Sequence, residues 1–178
     1  GAQAIVATGY EQAPFIPEWE GRAEFAGELS HVATYRNPTP YVGQRVLVVG
    51  PGCTGMEVAY DLTEGGAAKV WLAVRTPPNI QLRAGPGGLP GDMIAVALLR
   101  APTRLADAFA NFGRRMDMGD LSEYGLPVPE EGVFARCRRL GVAPTIVDKE
   151  VIEAIKERRI EVVGGVESLG PAEVHLAD

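Results

Sequence analysis

Hydrophobic positions form one dense block near the middle of the chain and weaker patterns around it. Arg45 to Val49 is a run of β-branched and aliphatic residues, which predicts a strand. The run ends in Gly50-Pro51-Gly52-Cys53-Thr54-Gly55, and beyond it Met56, Val58, Ala59 and Leu62 are spaced to make one apolar helical stripe. Gly65-Gly66 stops that helix, and Lys69 to Val74 makes a second apolar strand. Together they predict a βαβ unit of about 30 residues.

Elsewhere the pattern is looser. Ala4 to Gly9 reads as a buried strand running into a turn, and Pro14, Pro17, Pro38 and Pro40 mark residues 10–44 as an ordered crossing connector rather than a helix. Pro77 to Gly91 predicts an irregular loop. An amphipathic segment follows from Asp92 to about Met118, kinked near Pro102, and residues 119–147 read as mostly irregular. Asp148 is placed to cap a helix whose buried face is Val151, Ile152 and Ile155, with Arg158 and Arg159 at its negative end. Ile160 to Val163 and Glu173 to Leu176 read as short strands.

Charge and composition narrow the partners. A net charge of -6 without a long basic cluster gives no footprint for nucleic acid or an anionic membrane, so a small molecule is the expected partner. The longest strongly apolar stretch, Met93 to Leu99, is too short to span a bilayer, and no charged-then-apolar leader opens the chain. Cys53 and Cys137 lack a C-x-x-C spacing, which points away from a disulfide framework and towards the cytoplasm. With His31 and His175 they show no metal-ligand spacing, so no metal is expected. None of the tyrosines opens a Tyr-x-x-x-Lys pair, and none of Ser30, Ser122 and Ser168 sits in a G-x-S-x-G elbow. The familiar short-chain dehydrogenase and α/β-hydrolase chemistries are thereby disfavoured.

Gly50, Gly52 and Gly55 are spaced as G-x-G-x-x-G, a pattern that by itself fits either a tight turn or a dinucleotide site. Following a strand and opening a helix, it favours the second: the first glycine makes the turn, the second admits a pyrophosphate, and the third lets helix and strand pack closely. The free amides and positive dipole end of the helix suit phosphate. At the end of the second strand, where an NAD site places a carboxylate, stand Arg75 and Thr76. A guanidinium there suits a 2'-phosphate, so NADP(H) is the expected cofactor, with Arg83 as a weaker candidate for the same role.

The segment Phe25-Ala-Gly27-Glu-Leu-Ser-His31-Val-Ala-Thr-Tyr35 resembles the F-x-G-x-x-x-H-x-x-x-(Y/F) fingerprint of flavin-containing monooxygenases. It stands between Ala7-Thr8-Gly9, which resembles that family's linker between FAD and NADP domains, and the glycine turn. The resemblance runs on through "GMEVAYDL", "VWLAVRT", "YGLPVPEEG" and "RRIEVVGGVESL", most like the indole-3-pyruvate monooxygenase (YUCCA-like) branch.

That resemblance implies an α/β, Rossmann-like FAD/NAD(P)-binding fold of three layers, with a central parallel sheet and a small antiparallel β element. Residues 1–44 would be the linker with its fingerprint and 45–178 the NADP-binding domain. Gly50, Pro51, Gly52, Cys53, Thr54 and Gly55 would hold the pyrophosphate, Arg75 and Thr76 would face the 2'-phosphate, and Ala7, Thr8, Gly9, Phe25, Gly27, His31 and Tyr35 would shape the domain junction. In such enzymes NADPH reduces FAD, and the flavin uses O2 to oxygenate a small organic substrate. The family commonly has Asn-Ser where this chain has Cys53-Thr54, which leaves the role of the cysteine open. Both ends look cut: no FAD-binding glycine turn precedes Ala7, and the isolated chain is expected to be inactive. The competing readings are a non-catalytic NADP(H)-sensing module and a piece of a flavin reductase or Baeyer-Villiger monooxygenase.

Overall fold

The computed structural model describes residues 13–85 and 91–177. Three parallel strands carry the centre: β1 (Arg45–Val49), β2 (Lys69–Val74) and, arriving much later in the chain, β5 (Ile160–Gly164), in the order β1-β2-β5. Register is continuous, with Val46 beside Val70 and Leu47 beside Trp71, and on the other side Val70 beside Ile160 and Leu72 beside Val162. Helix α1 (Cys53–Glu64) makes the crossover from β1 to β2, as the apolar spacing predicts. It ends at Gly65, and Ala67 N–H closes back onto Leu62 C=O at 3.0 Å.

The core follows from that geometry. Met56, Ala59 and Leu62 on the inner face of α1 are fully buried with Val70 and Leu72 of β2. Helix α5 (Lys149–Lys156) adds Val151, Ile152 and Ile155 to the same cluster. Alternation along β2 and the i, i+3, i+6 recurrence along α1 thus meet at one layer.

Between β2 and β5 the structure departs from the expectation of loop and irregular chain. Residues Ile80–Leu82 form β3, which pairs in parallel with β4 (Thr145–Val147) in a small sheet of its own. The segment expected to be one kinked helix is two, α2 (Gly91–Leu98) and α3 (Thr103–Met118), because Pro102 takes the N-cap of the second and its ring cannot continue the first. The stretch expected to be irregular also holds α4 (Val133–Leu140), which packs its buried Val133 and Phe134 on Ala106 and Ala110 of α3.

The chain closes with the antiparallel pair β6 (Val166–Leu169) and β7 (Val174–Leu176), the first of which the sequence pattern did not mark. Residues 20–26 attach to this hairpin: Leu169 N–H donates to Glu20 C=O at 2.8 Å and Ala26 N–H to Pro171 C=O at 2.9 Å. Asp148 occupies the N-cap of α5 as expected, yet its carboxylate makes no capping bond, because Arg83 binds it instead.

Candidate functional site

The turn between β1 and α1 uses its three glycines in three ways. Gly50 has φ +106, a conformation that L side chains rarely adopt, and its N–H extends the sheet by donating to Ala73 C=O at 3.0 Å. At Gly55 an added Cβ would lie 2.1 Å from Gly50 C=O, so only a bare backbone lets α1 approach the strand. At Gly52 an added Cβ would meet nothing within 4 Å, so this side of the turn is open. Gly52 is also the N-cap of α1 and offers no side-chain cap, and the first intrahelical bond is Met56 N–H to Gly52 C=O. The amides of Cys53, Thr54 and Gly55 therefore have no partner within the helix, and Thr54 is exposed beside them. An open turn at a positive helix end, with amides that have no partner within the helix, fits a pyrophosphate.

Cys53 does not face that opening. Its sulfur accepts the Ile146 N–H at 3.2 Å and lies 4.0 Å from Pro144 C=O, which turns the side chain towards β4. Beside it the Thr145 hydroxyl donates to Pro51 C=O at 3.1 Å. Thr145 and Ile146 were not legible as site neighbours; the only sequence signal was a short β-branched run, Thr145-Ile-Val147, ahead of Asp148.

Arg75 and Thr76 stand exposed where β2, the central strand, ends, at the same C-terminal end of the sheet that carries the turn. Arg75 forms no ion pair with another described residue, and its Cα and Cβ lie against Gly165 in the β5–β6 connection. Arg83 is engaged elsewhere. Its guanidinium binds Asp148 at 2.9 Å and Glu57 at 2.6 Å, and the hydrogen bond to Asp148 holds its pKa above the ordinary arginine value. It clamps α1 to the start of α5 and is not an open phosphate ligand.

The fingerprint residues are spread over two places: residues 20–26 lie against the β6–β7 hairpin, and Tyr35 reaches the second half of α1. Ala7, Thr8 and Gly9 fall outside the described residues. Phe25 lays its ring over Gly27, where a Cβ would come within 2.5 Å of the ring. His31 caps a short 3-10 turn, its Nδ1 accepting the Ala33 N–H at 3.1 Å. Tyr35 stacks on Tyr41 and donates its hydroxyl to Asp61 at 2.6 Å. Burial first, and then the Asp61 carboxylate, push the Tyr35 phenol above its ordinary pKa. Asp61 is eight residues beyond Cys53, about 12 Å along the helix. Tyr35 is thus tied to the far half of α1, away from the glycine turn.

Among the described residues no group of three His, Cys, Asp or Glu side chains could hold a metal, and no helix is long and apolar enough to cross a membrane. Cys53 and Cys137 are free thiols.

A parallel βαβ unit with this glycine turn defines a Rossmann-like α/β protein. The family model for flavin-binding monooxygenase-like proteins matches residues 2–116, and the chain belongs to that family. It is 33% identical over 174 residues to the probable indole-3-pyruvate monooxygenase YUCCA7 of Arabidopsis thaliana, covering 98% of this chain and 40% of the relative. It is 36% identical over 172 residues to the indole-3-pyruvate monooxygenase YUCCA8 of Oryza sativa subsp. japonica, covering 92% and 38%. The chain therefore spans about 40% of the length of the curated relatives it matches. Among solved structures it resembles the cyclohexanone monooxygenase from Rhodococcus sp. Phi1 bound to NADP+, with a TM-score of 0.65 at 18% identity, covering 95% of this chain and 42% of that one. A flavin monooxygenase variant from Stenotrophomonas maltophilia matches with a TM-score of 0.54 at 19% identity, covering 93% and 34%. At these identities the structural likeness carries the fold.

Proposed function

We propose that this chain is the NADP(H)-binding part of an FAD- and NADPH-dependent monooxygenase that oxygenates a small organic substrate with O2. Residues 45–178 form the nucleotide-binding unit and residues 1–44 the linker. The observation that carries the reading is the division of labour in the turn: Gly50 in a positive-φ conformation that side-chain-bearing residues avoid, Gly55 in contact, Gly52 open beside helix amides with no partner within the helix. Gly50, Pro51, Gly52, Cys53, Thr54 and Gly55 cradle the pyrophosphate, and Arg75 with Thr76 reads the 2'-phosphate. When bound, NADPH supplies a hydride to the flavin. Gly50 to Gly55, Arg75 and Thr76 bind and orient it. FAD belongs to the whole protein and is not held here. The free thiols of Cys53 and Cys137 suit a cytoplasmic setting.

Calorimetric titration of the chain with NADP+ and NAD+ tests this. NADP+ is expected to bind at least about tenfold tighter, and Arg75→Ala to bring the two towards parity, since a charge-assisted phosphate contact contributes about 1.5–3 kcal/mol. An unchanged preference removes Arg75 from the site. A yellow preparation that consumes NADPH and oxygen would overturn the assignment of flavin chemistry to the rest of the protein.

A further inference from the structure

We infer that Cys53 and Thr145 are positioning residues through which strand β4, outside the βαβ unit, holds the nucleotide turn; the inference rests on the nucleotide-binding reading above. The turn is fixed on its strand side by the sheet, through Gly50 N–H on Ala73 C=O at 3.0 Å. On its helix side Gly52 caps α1 with no side chain. There the small β3–β4 sheet takes over. Thr145 Oγ1 donates to Pro51 C=O at 3.1 Å, and Ile146 N–H donates to Cys53 Sγ at 3.2 Å, so residues on either side of Gly52 are tied to adjacent residues of one strand. Arg83 repeats the link one turn further along α1, through Glu57 and Asp148.

The chemistry of these ties matters as much as their number. They occupy a carbonyl and a sulfur of the turn and leave the amides of Cys53, Thr54 and Gly55 for an anion. A turn already ordered loses less entropy when the nucleotide arrives. Both side chains are half-buried and turned away from the opening, so they govern how far the turn is preformed and not which nucleotide it selects.

The test is calorimetric titration of NADP+ and NAD+ into the wild-type chain, Cys53→Ala, Thr145→Val, the double variant and Cys53→Ser, with thermal unfolding of each. Each single variant is expected to weaken both nucleotides by the same factor, about three- to tenfold, corresponding to one lost hydrogen bond. Cys53→Ser should recover most of the loss, because its hydroxyl can accept the Ile146 N–H. A lowered Tm with unchanged Kd in both single variants would show a merely structural role and overturn the inference, as would a shifted NADP+/NAD+ ratio. Thr145→Val is close to isosteric and keeps the test decisive if Cys53→Ala fails to fold. Wild-type protein that binds neither nucleotide sinks the nucleotide reading and this inference with it; wild-type binding matched by the variants sinks the inference alone.

Discussion

Met56, Leu62 and Leu72 of the βαβ unit are almost completely buried, whereas Leu105, Phe109, Phe112 and Met116 of α3 are 65, 55, 65 and 71% exposed. In α3 the inward face carries the small residues Ala106 and Ala110 against α4, followed by Arg114 and Met118. Both regions show apolar residues at helical spacing, and they use it in opposite ways. In the βαβ unit the large stripe is the packed face. In α3 a stripe of four large residues points outward, Met118 alone of the large apolar residues being buried, and the alanines face α4. Periodicity therefore establishes that a helix exists, while side-chain size against its neighbours decides which face is inside.

The contrast can be broken by substitution. Leu72→Ala is expected to lower unfolding free energy by about 3 kcal/mol in urea denaturation, because it leaves a cavity in the central layer. A cost below about 1 kcal/mol would mean that this layer is not the core. Next in size, Ala106→Leu should cost about 1–3 kcal/mol by overpacking the α3–α4 contact. If enlargement there is tolerated, α3 is not held by its small face.

A smaller, pH-dependent effect belongs to the Tyr35–Asp61 joint. The folded state raises the Tyr35 pKa, so the joint stabilises the fold fully below tyrosine's ordinary pKa of about 10 and loses that contribution as pH rises towards the higher folded value. Urea midpoints should fall more steeply above pH 10 in the wild type than in Tyr35→Phe. Parallel slopes would show that the joint adds nothing. The smallest change is expected for Phe109→Ser, within about 0.5 kcal/mol, since an exposed side chain loses little packing. A loss of several kcal/mol would place the outer stripe of α3 in a packed interface.

The βαβ unit was legible because its signals are local and agree with one another: an apolar run, three glycines, a helical stripe, two stopping glycines and a second run lie within 30 consecutive positions. What escaped depends on distant partners. Ile80–Leu82 and Thr145–Val147 are three-residue strands whose only reason to be strands is each other, across more than 60 residues. Val133 and Phe134 are the only residues of α4 classed as buried, so its arginine-rich sequence gave little helical stripe to read. The capping role expected of Asp148 failed for the same reason, since Arg83, 65 residues earlier, takes its carboxylate. At the site, the spacing of the glycines was readable, as were the turn at Gly50 and the close approach at Gly55, but the inward turn of Cys53 needed Ile146, 93 residues away.

The placement of β5 beside β2 also bears on how the chain reaches this state. Lys69–Val74 and Ile160–Gly164 are neighbours in the sheet, yet some 85 residues of helices and short strands lie between them. Closing a loop of that length costs about 4 kcal/mol in chain entropy before a single β2–β5 contact is made. Long-range pairing of this kind slows folding relative to domains built from local contacts. The β1–α1–β2 crossover, closed over fewer than 20 residues, needs no such search, so the glycine turn belongs to the part of the molecule that can organise first.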